Sequence, residues 1–506
     1  MSLDSVLTIA RSGLAAVQRE LAQASQNIAN AETPGYTRKA VPQQSLTVGD
    51  SPAGLRSGEA QRSVDTALLA RLDASRAAAA GATLREQILQ GVEQAHGAAG
   101  ETIADGLSDL RSAFLALQAA PADAGKQRTA AAAAATVAAR LNGVSDAIGA
   151  ARQQAQDSIV AEVAKANAAL HDIADLTTRL KAGGTGDAAA LEDQRDQAIA
   201  TLSEVMDVQA VRRDGGDLLL VARGGIVLPL EAKRDVLATA PATVAPDAYC
   251  GAGGTLPGVT LNGLDITGQL LGGRLGESLA LRDRTLPRYQ AEADVLAGNL
   301  AARMDGEGLT LFTDADGSSV PDPTQPYAGS SQVGFAGRIR VNPAVDGNPA
   351  LLRDGTHAVL ASPSGATDFT PNPSGGPAGF TTLIDRVLGF SLGAEAASGQ
   401  PWTAIAGSGL GPDGGLASPF AAPATLADYA GQMVAAQVGD RASATAAKEQ
   451  AAALGTTLEG RFAQQSGVDT DAEMASIVAL QNAYAANARV LGTVQTLWET
   501  LMGAVR

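Results

Sequence analysis

Asn27-Ile-Ala-Asn-Ala-Glu-Thr-Pro-Gly-Tyr-Thr-Arg38 closes the segment whose reading decides the fold. Upstream of it, Leu3, Leu7, Ala10, Leu14, Val17, Leu21, Ala24 and Ile28 recur at alternating intervals of four and three residues. An apolar repeat averaging 3.5 residues calls for a left-handed coiled coil with a second helix. The pattern stops at Thr33-Pro34-Gly35. A residue before proline is driven out of helical geometry, and glycine accepts the turn. The matching seam lies at the other end of the chain: Ile477, Leu480, Tyr484, Asn487, Leu491, Val494, Trp498, Leu501 and Val505. The two ends are therefore expected to pair. Asn487 is the one polar member; it either specifies register and partner number or bonds water at a loose spot. Each seam offers one apolar stripe and little else, so the end helices are expected to gain most of their order on assembly.

Working inward, the helical period returns from about residue 63, and a second helix fits 101–119. A third fits about 122–182, roughly 60 residues or about 90 Å long. Gly143 and Gly149 are candidate bends, Gly183-Gly184 a stop, and Asp187 the cap of a further helix to about Val205. Val208 to Ala222 reads as a hairpin turning at Asp214-Gly215-Gly216. Helix resumes over 275–304 and from Thr425 to about Gln465, where Thr425 and Asp428 have capping-box spacing. Thr470 and Glu473 repeat that spacing before the last helix. Between these helices, 307–424 is rich in proline and glycine.

The expected fold class is α+β multidomain: a terminal α-helical coiled coil, an elongated helical rod domain and a β-rich outer domain. The expected division is 1–38 with 467–506 as the terminal coiled coil. Residues 39–206, with 276–306 and 425–466, form the helical rod. Residues 207–275 are a hairpin-containing insertion packed on the rod, and 307–424 the outer domain.

The 506 residues exceed one core, and aromatics are only 3 % of them. Abundant alanine suits close helix–helix packing. The net charge of −16 leaves no electrostatic footprint for nucleic acid or anionic membrane. No run of about 18 apolar residues suggests membrane insertion, and the N-terminus, interrupted by Asp4, Arg11, Arg19 and Glu20, lacks the apolar core of a cleavable signal.

No catalytic constellation emerges. His96, His171 and His357 are scattered, and the single Cys250 has no base nearby in sequence. Asp314-Ala-Asp316-Gly317 fails as a calcium loop, because the first and twelfth ligand positions fall on Phe312 and Pro323. Gly409 to Gly414 matches a dinucleotide fingerprint by letter only. Glu192-Asp-Gln-Arg-Asp196 reads as a solvated, salt-bridged helix face. No cofactor or metal is expected, and no enzymatic activity.

The two ends resemble bacterial flagellar axial proteins, the family of rod, hook and hook-associated subunits. The resemblance rests on Ser12-Gly-Leu-Ala-Ala-Val-Gln18 with Ser25 to Tyr36, and on Gly467 to Met474 with Gln481 to Val490. One departure is Gln26, where the family usually carries asparagine. The Thr-Pro-Gly-Tyr-Thr-Arg turn, the long helices after it and Leu191-Glu-Asp-Gln-Arg-Asp-Gln197 are similar to the hook-associated branch. The resemblance implies a structural subunit of the hook–filament junction, exported by the flagellar type III route and secreted to the extracellular flagellum. It implies a ring-like homo-oligomer, with hook protein, hook-associated protein 3 and a flagellar export chaperone as partners. Its assembly interface would comprise Leu3, Leu7, Leu14, Val17, Leu21, Ile28, Asn30, Pro34, Gly35 and Tyr36, facing Ile477, Leu480, Tyr484, Asn487, Leu491, Val494, Trp498 and Leu501. Another hook or rod subunit, or a secreted wall-hydrolysing enzyme carried on an axial scaffold, are the alternatives.

Overall fold

The computed structural model describes residues 3–48, 51–183, 188–315, 317, 319–361, 366–421 and 423–504. Gly184, Asp187, Asp316 and Val505, all named above, lie outside the described residues, as does the side chain of Leu3.

Twelve α-helices dominate the described residues. Helix α1 spans Leu3–Ala29, α2 Thr66–Ala95, α3 Ile103–Ala119, α4 Ala124–Lys181 and α5 Ala188–Val205. Their starts follow side-chain chemistry. Asp65 accepts from the Ala67 and Leu68 amides to open α2, and Asp123 accepts from Gly125 and Lys126 to open α4. Thr102 and Asp105 form a reciprocal capping box at α3. Helix α4 runs 58 residues without interruption across Gly143 and Gly149.

Between α1 and α2, β1 (Lys39–Ala40) pairs antiparallel with β4 (Gln61–Arg62). Strands β2 (Gln43–Val48) and β3 (Ser51–Ser57) form a hairpin that leans on α1, where Ser12 Oγ accepts from the Leu55 amide at 3.0 Å. After α5, β5 (Val208–Arg212), β6 (Leu218–Ala222) and β7 (Val227–Leu228) make a three-stranded antiparallel sheet. Strands β8 (Leu237–Ala238), β9 (Thr260–Leu261) and β10 (Leu264–Asp265) make another. Helix α6 (Gly273–Ala280) passes through a π-helical turn at Leu281–Thr285 into α7 (Leu286–Gly306).

The stretch 307–424 carries fewer strands than expected. Its described residues hold three short ribbons, β11 (Phe312–Thr313) with β12 (Arg340–Val341), β13 (Glu395–Ala397) with β14 (Gln400–Pro401), and β15 (Ser408–Leu410) with β16 (Leu416–Ala417). Three short helices accompany them: α8 (Pro343–Gly347), α9 (Leu351–Asp354) and α10 (Thr382–Arg386). Proline withholds the ladder donor and fixes φ, which favours loops over long strands. The chain ends in α11 (Leu426–Ser466) and α12 (Thr470–Ala504).

Helix α4 is the spine, and two cores share it. Its first half contributes Ala130, Ala134, Val137, Leu141, Val144 and Ile148 to a core with α3, α7, the start of α11 and residues 309–410. Its second half contributes Ile159, Val163, Leu170 and Ile173 to a core with α5, β5–β9 and α6. Small residues do set helix spacing here. Gly81 of α2 sits against the Gly273 backbone, where a Cβ would come within 3.0 Å of the carbonyl oxygen. Along the α2–α11 pair, Ser75 Oγ reaches the Ala451 carbonyl at 3.3 Å.

One buried carboxylate organises the loop 327–337. Asp294 on α7 accepts from the Gly334 amide (2.7 Å), the Ala336 amide (2.8 Å), Tyr327 Oη (2.7 Å) and Gln290 Nε2 (2.9 Å). Asp294→Ala leaves two buried amides without their acceptor and is expected to cost about 3 kcal/mol or more. Chemical denaturation of the variant measures that loss; an unchanged midpoint would show the loop is held by other contacts.

Candidate assembly interface

Helices α1 and α12 pair antiparallel. Gly13 faces the Asn487 side chain, and Gln23, Ala24 and Asn27 share a groove with Leu480 and Glu473. At the joint end, Arg38 Nε pairs with Glu473 at 2.6 Å. On α1, Ala10, Gly13, Ala16, Val17, Gln23, Ala24 and Asn27 are buried. Leu7, Leu14, Leu21, Ile28, Asn30 and Tyr36 are half-buried, whereas Pro34 and Gly35 are exposed. The covered face is thus centred on Ala10, Val17 and Ala24, and the leucines form its open edge.

On α12, Val494 is buried, and Ile477, Leu480, Asn487 and Leu491 are half-buried. Three expected seam members stand outside. Tyr484 is exposed, and its neighbour Ala483 takes the half-buried place. Trp498 and Leu501 are 51 % and 50 % exposed. For Trp498 and Leu501 the cause is stagger: ten residues back from Gly13 is Leu3, whereas ten residues on from Asn487 is Leu497, so α12 runs past the first described residue of α1. The expected Thr470–Glu473 capping box also gives way. Asp469 Oδ1 accepts from the Asp471 and Ala472 amides at 3.0 Å, which leaves Glu473 for Arg38.

The joint between this pair and the helical body is polar and buried. The Thr33–Lys39 turn lies across α5. Gly35, at φ +78°, sits where any Cβ would run into the Gln197 side chain, whose Nε2 donates to the Pro34 carbonyl. Asn27 in the last turn of α1 donates to the Lys39 carbonyl (2.9 Å) and accepts from Tyr36 Oη (2.9 Å). Lys39 Nζ stands 4.4 Å from the Tyr36 ring centre. The Arg38 amide donates to the Ser466 carbonyl at the α11–α12 corner (2.8 Å).

The segment 192–196 corrects the sequence reading. It is not a solvated face: Asp193, Arg195 and Asp196 are 5 %, 2 % and 9 % exposed. Asp193 accepts from Thr37 Oγ1 (2.6 Å) and pairs with Lys39 (3.4 Å) and Arg62 (3.2 Å). Arg62 also reaches Glu192 and Asp196, each at 2.7 Å. Asp196 binds Arg212 (2.6 Å), and Arg195 donates to the Gly216 carbonyl (2.8 Å). Burial lowers the Arg195 pKa, with Asp196 opposing it. Burial likewise works against the Arg62 charge, but Asp196, Glu192 and Asp193 together hold its pKa above the usual value. Thr37, Arg62, Asp193 and Asp196 are the functional candidates that sequence reasoning missed. Helical periodicity shows charge spacing, not what a distant segment lays over it.

Comparison with known proteins fits this layout. The family model described as the flagellar hook-associated protein FlgK helical domain matches residues 89–312. The flagellar basal body rod FlgEFG protein C-terminal model matches 460–504, and the flagella basal body rod protein model matches 7–37. No curated protein matches the chain. Among solved structures, the flagellar hook junction protein FlgK from Burkholderia pseudomallei is 24 % identical, with a TM-score of 0.40. That match covers 49 % of this chain and 45 % of the other, so it spans less than half of that protein.

Segments similar to flagellar rod proteins thus lie at both ends and close on one another around the helical body. Between those segments, the helical body is similar to the FlgK helical domain over the matched residues.

Proposed function

We propose that this chain is the structural subunit joining hook to filament, and that it assembles through its paired terminal helices. The observation that carries the reading is the convergence of both ends on one joint, where the 33–39 turn meets α5 and the α11–α12 corner. The half-buried edge of Leu7, Leu14, Leu21 and Ile28 supports the same reading, because apolar side chains left half-wet on a two-helix unit suit further helices beside it. The interface residues expected from sequence would then face neighbouring copies in a ring. Hook protein, hook-associated protein 3 and a flagellar export chaperone are the further partners proposed, and the role is structural, without catalysis. Order in the end helices rises on assembly.

Fluorescently labelled protein tests this reading on cells. Signal at the hook–filament boundary, with hooks but no filaments when the chain is deleted, is the expected result. Label along the hook or within the basal body would instead make it a hook or rod subunit.

A further inference from the structure

The buried ion cluster on α5 lies where the terminal pair meets the helical body, and its position is specific. Every donor that Asp193 receives comes from the strip linking the terminal pair to the body: Thr37, Lys39 and Arg62. Three further contacts grip that strip, one of them also from α5. Asn27 holds it to α1, Gln197 holds Pro34 to α5, and Arg38 holds it to Ser466 and Glu473 at the corner. Two grooves of about 330 and 530 Å³ flank the turn, so apolar packing alone leaves it loosely seated. Buried ion pairs add little net stability, because desolvation offsets attraction, yet they accept only one geometry.

We propose that Asp193 is a positioning residue: through Thr37, Lys39 and Arg62 it fixes the direction in which the terminal helix pair leaves the helical body. An axial subunit that must present its end helices to neighbours at one angle needs such a stop. Hydrophobic contacts across the open grooves would permit rocking; a carboxylate shared by three donors does not. Thr37 is the most direct handle, since its hydroxyl is the shortest contact and its removal strands no charge.

The test measures direction rather than stability. In a Cys250→Ser background, spin labels are placed at two exposed sites, Arg19→Cys on α1 and Asp172→Cys on α4. Pulsed dipolar spectroscopy of the full-length protein should return one narrow distance peak. Thr37→Val should replace it by a broad distribution, as should Asp193→Asn, while Thr37→Ser restores the peak. Thermal unfolding of the helical body should stay unchanged in the Thr37 variants. In cells carrying only the variant chain, Thr37→Val should lose filaments and Thr37→Ser should keep them.

A narrow peak in Thr37→Val, or a broad one in the unsubstituted protein, would overturn the proposal. So would a broadened Thr37→Val that still builds normal filaments. The cellular arm rests on the axial-subunit reading above; the spectroscopic arm does not. If deleting the whole chain left filaments intact, that reading would fall, and the distance distributions alone would decide the role of Asp193.

Discussion

Leu14→Asp or Leu491→Asp is expected to abolish filament assembly while leaving the helical body folded. Both side chains are half-buried on facing helices of the terminal pair. Burying a leucine stabilises by about 1.5–3 kcal/mol, and a carboxylate in its place adds a desolvation cost of its own. The pair has little stability to lose, since helices held by one stripe depend on that contact. The body is insulated, because none of its hydrophobic clusters, the two on α4 and the smaller one between α2 and α11, includes α1 or α12. Electron microscopy of cells expressing each variant reads the outcome, with calorimetry of the purified chains as control. Gln18→Asp, at an exposed position of the same helix, should assemble normally. Filaments built from Leu491→Asp chains would remove the seam from the assembly mechanism.

Stability should fall as pH rises from about 4.5 to 7, against the usual trend for carboxylates. Four buried acids cause this. Burial pushes Glu292 up to about 7, against the pull of Arg288 and hydrogen bonds from Gln437 and Ser418. Burial pushes Glu307 up to about 7 against Arg386. Asp294 rises to about 6 through burial, opposed by its Tyr327, Ala336, Gly334 and Gln290 donors. Asp73 rises to about 6 through burial, opposed by Arg76.

A carboxyl whose folded pKa is raised holds its proton in the native state at pH values where the unfolded chain has released it. Its stabilisation is complete below the unfolded value and is lost as pH climbs through the folded value. For Glu292 the span from 4.5 to about 7 is worth about 3 kcal/mol. His96 opposes the trend. Burial lowers its pKa, so the native state resists a proton that the unfolded chain takes up below about 6.5. Hydrogen bonds from Thr102 and Thr324 lower the values of Asp105 and Asp322, which weaken the fold only in stronger acid. Thermal unfolding followed from pH 5 to 8 should therefore show a falling midpoint, and Glu292→Gln should flatten the slope. A midpoint that climbs toward pH 8 would contradict the desolvation of these acids.

Reading order from the chain worked where the signal is local. The 3.5-residue repeat marked α1 and α12, Pro34-Gly35 marked the end of one, and alanine-rich periodicity marked α4. Capping-box spacing placed Thr425 at a helix start because side chain and amide lie within a few residues. The hairpin after Val208 was legible for the same reason, its turn glycines being adjacent to the strands they connect. The pairing of the two ends was also legible, since two matching seams in one chain satisfy each other.

What sequence could not resolve is where distance in the chain hides a neighbour. Spacing alone left the stagger of α12 open, so Trp498 and Leu501 looked like seam members although they lie past the first described residue of α1 and stand exposed. The charges of Glu192 to Asp196 looked wet because no helix period reveals that Thr37, Lys39 and Arg62, more than 100 residues away, will cover them. The amino-acid sequence determined which long helices form and that the two ends belong together, because periodicity, caps and turns act over a few residues. Only the tertiary structure decided that Asp193 ties those ends to the body, because burial of a charge depends on what the folded chain brings over it.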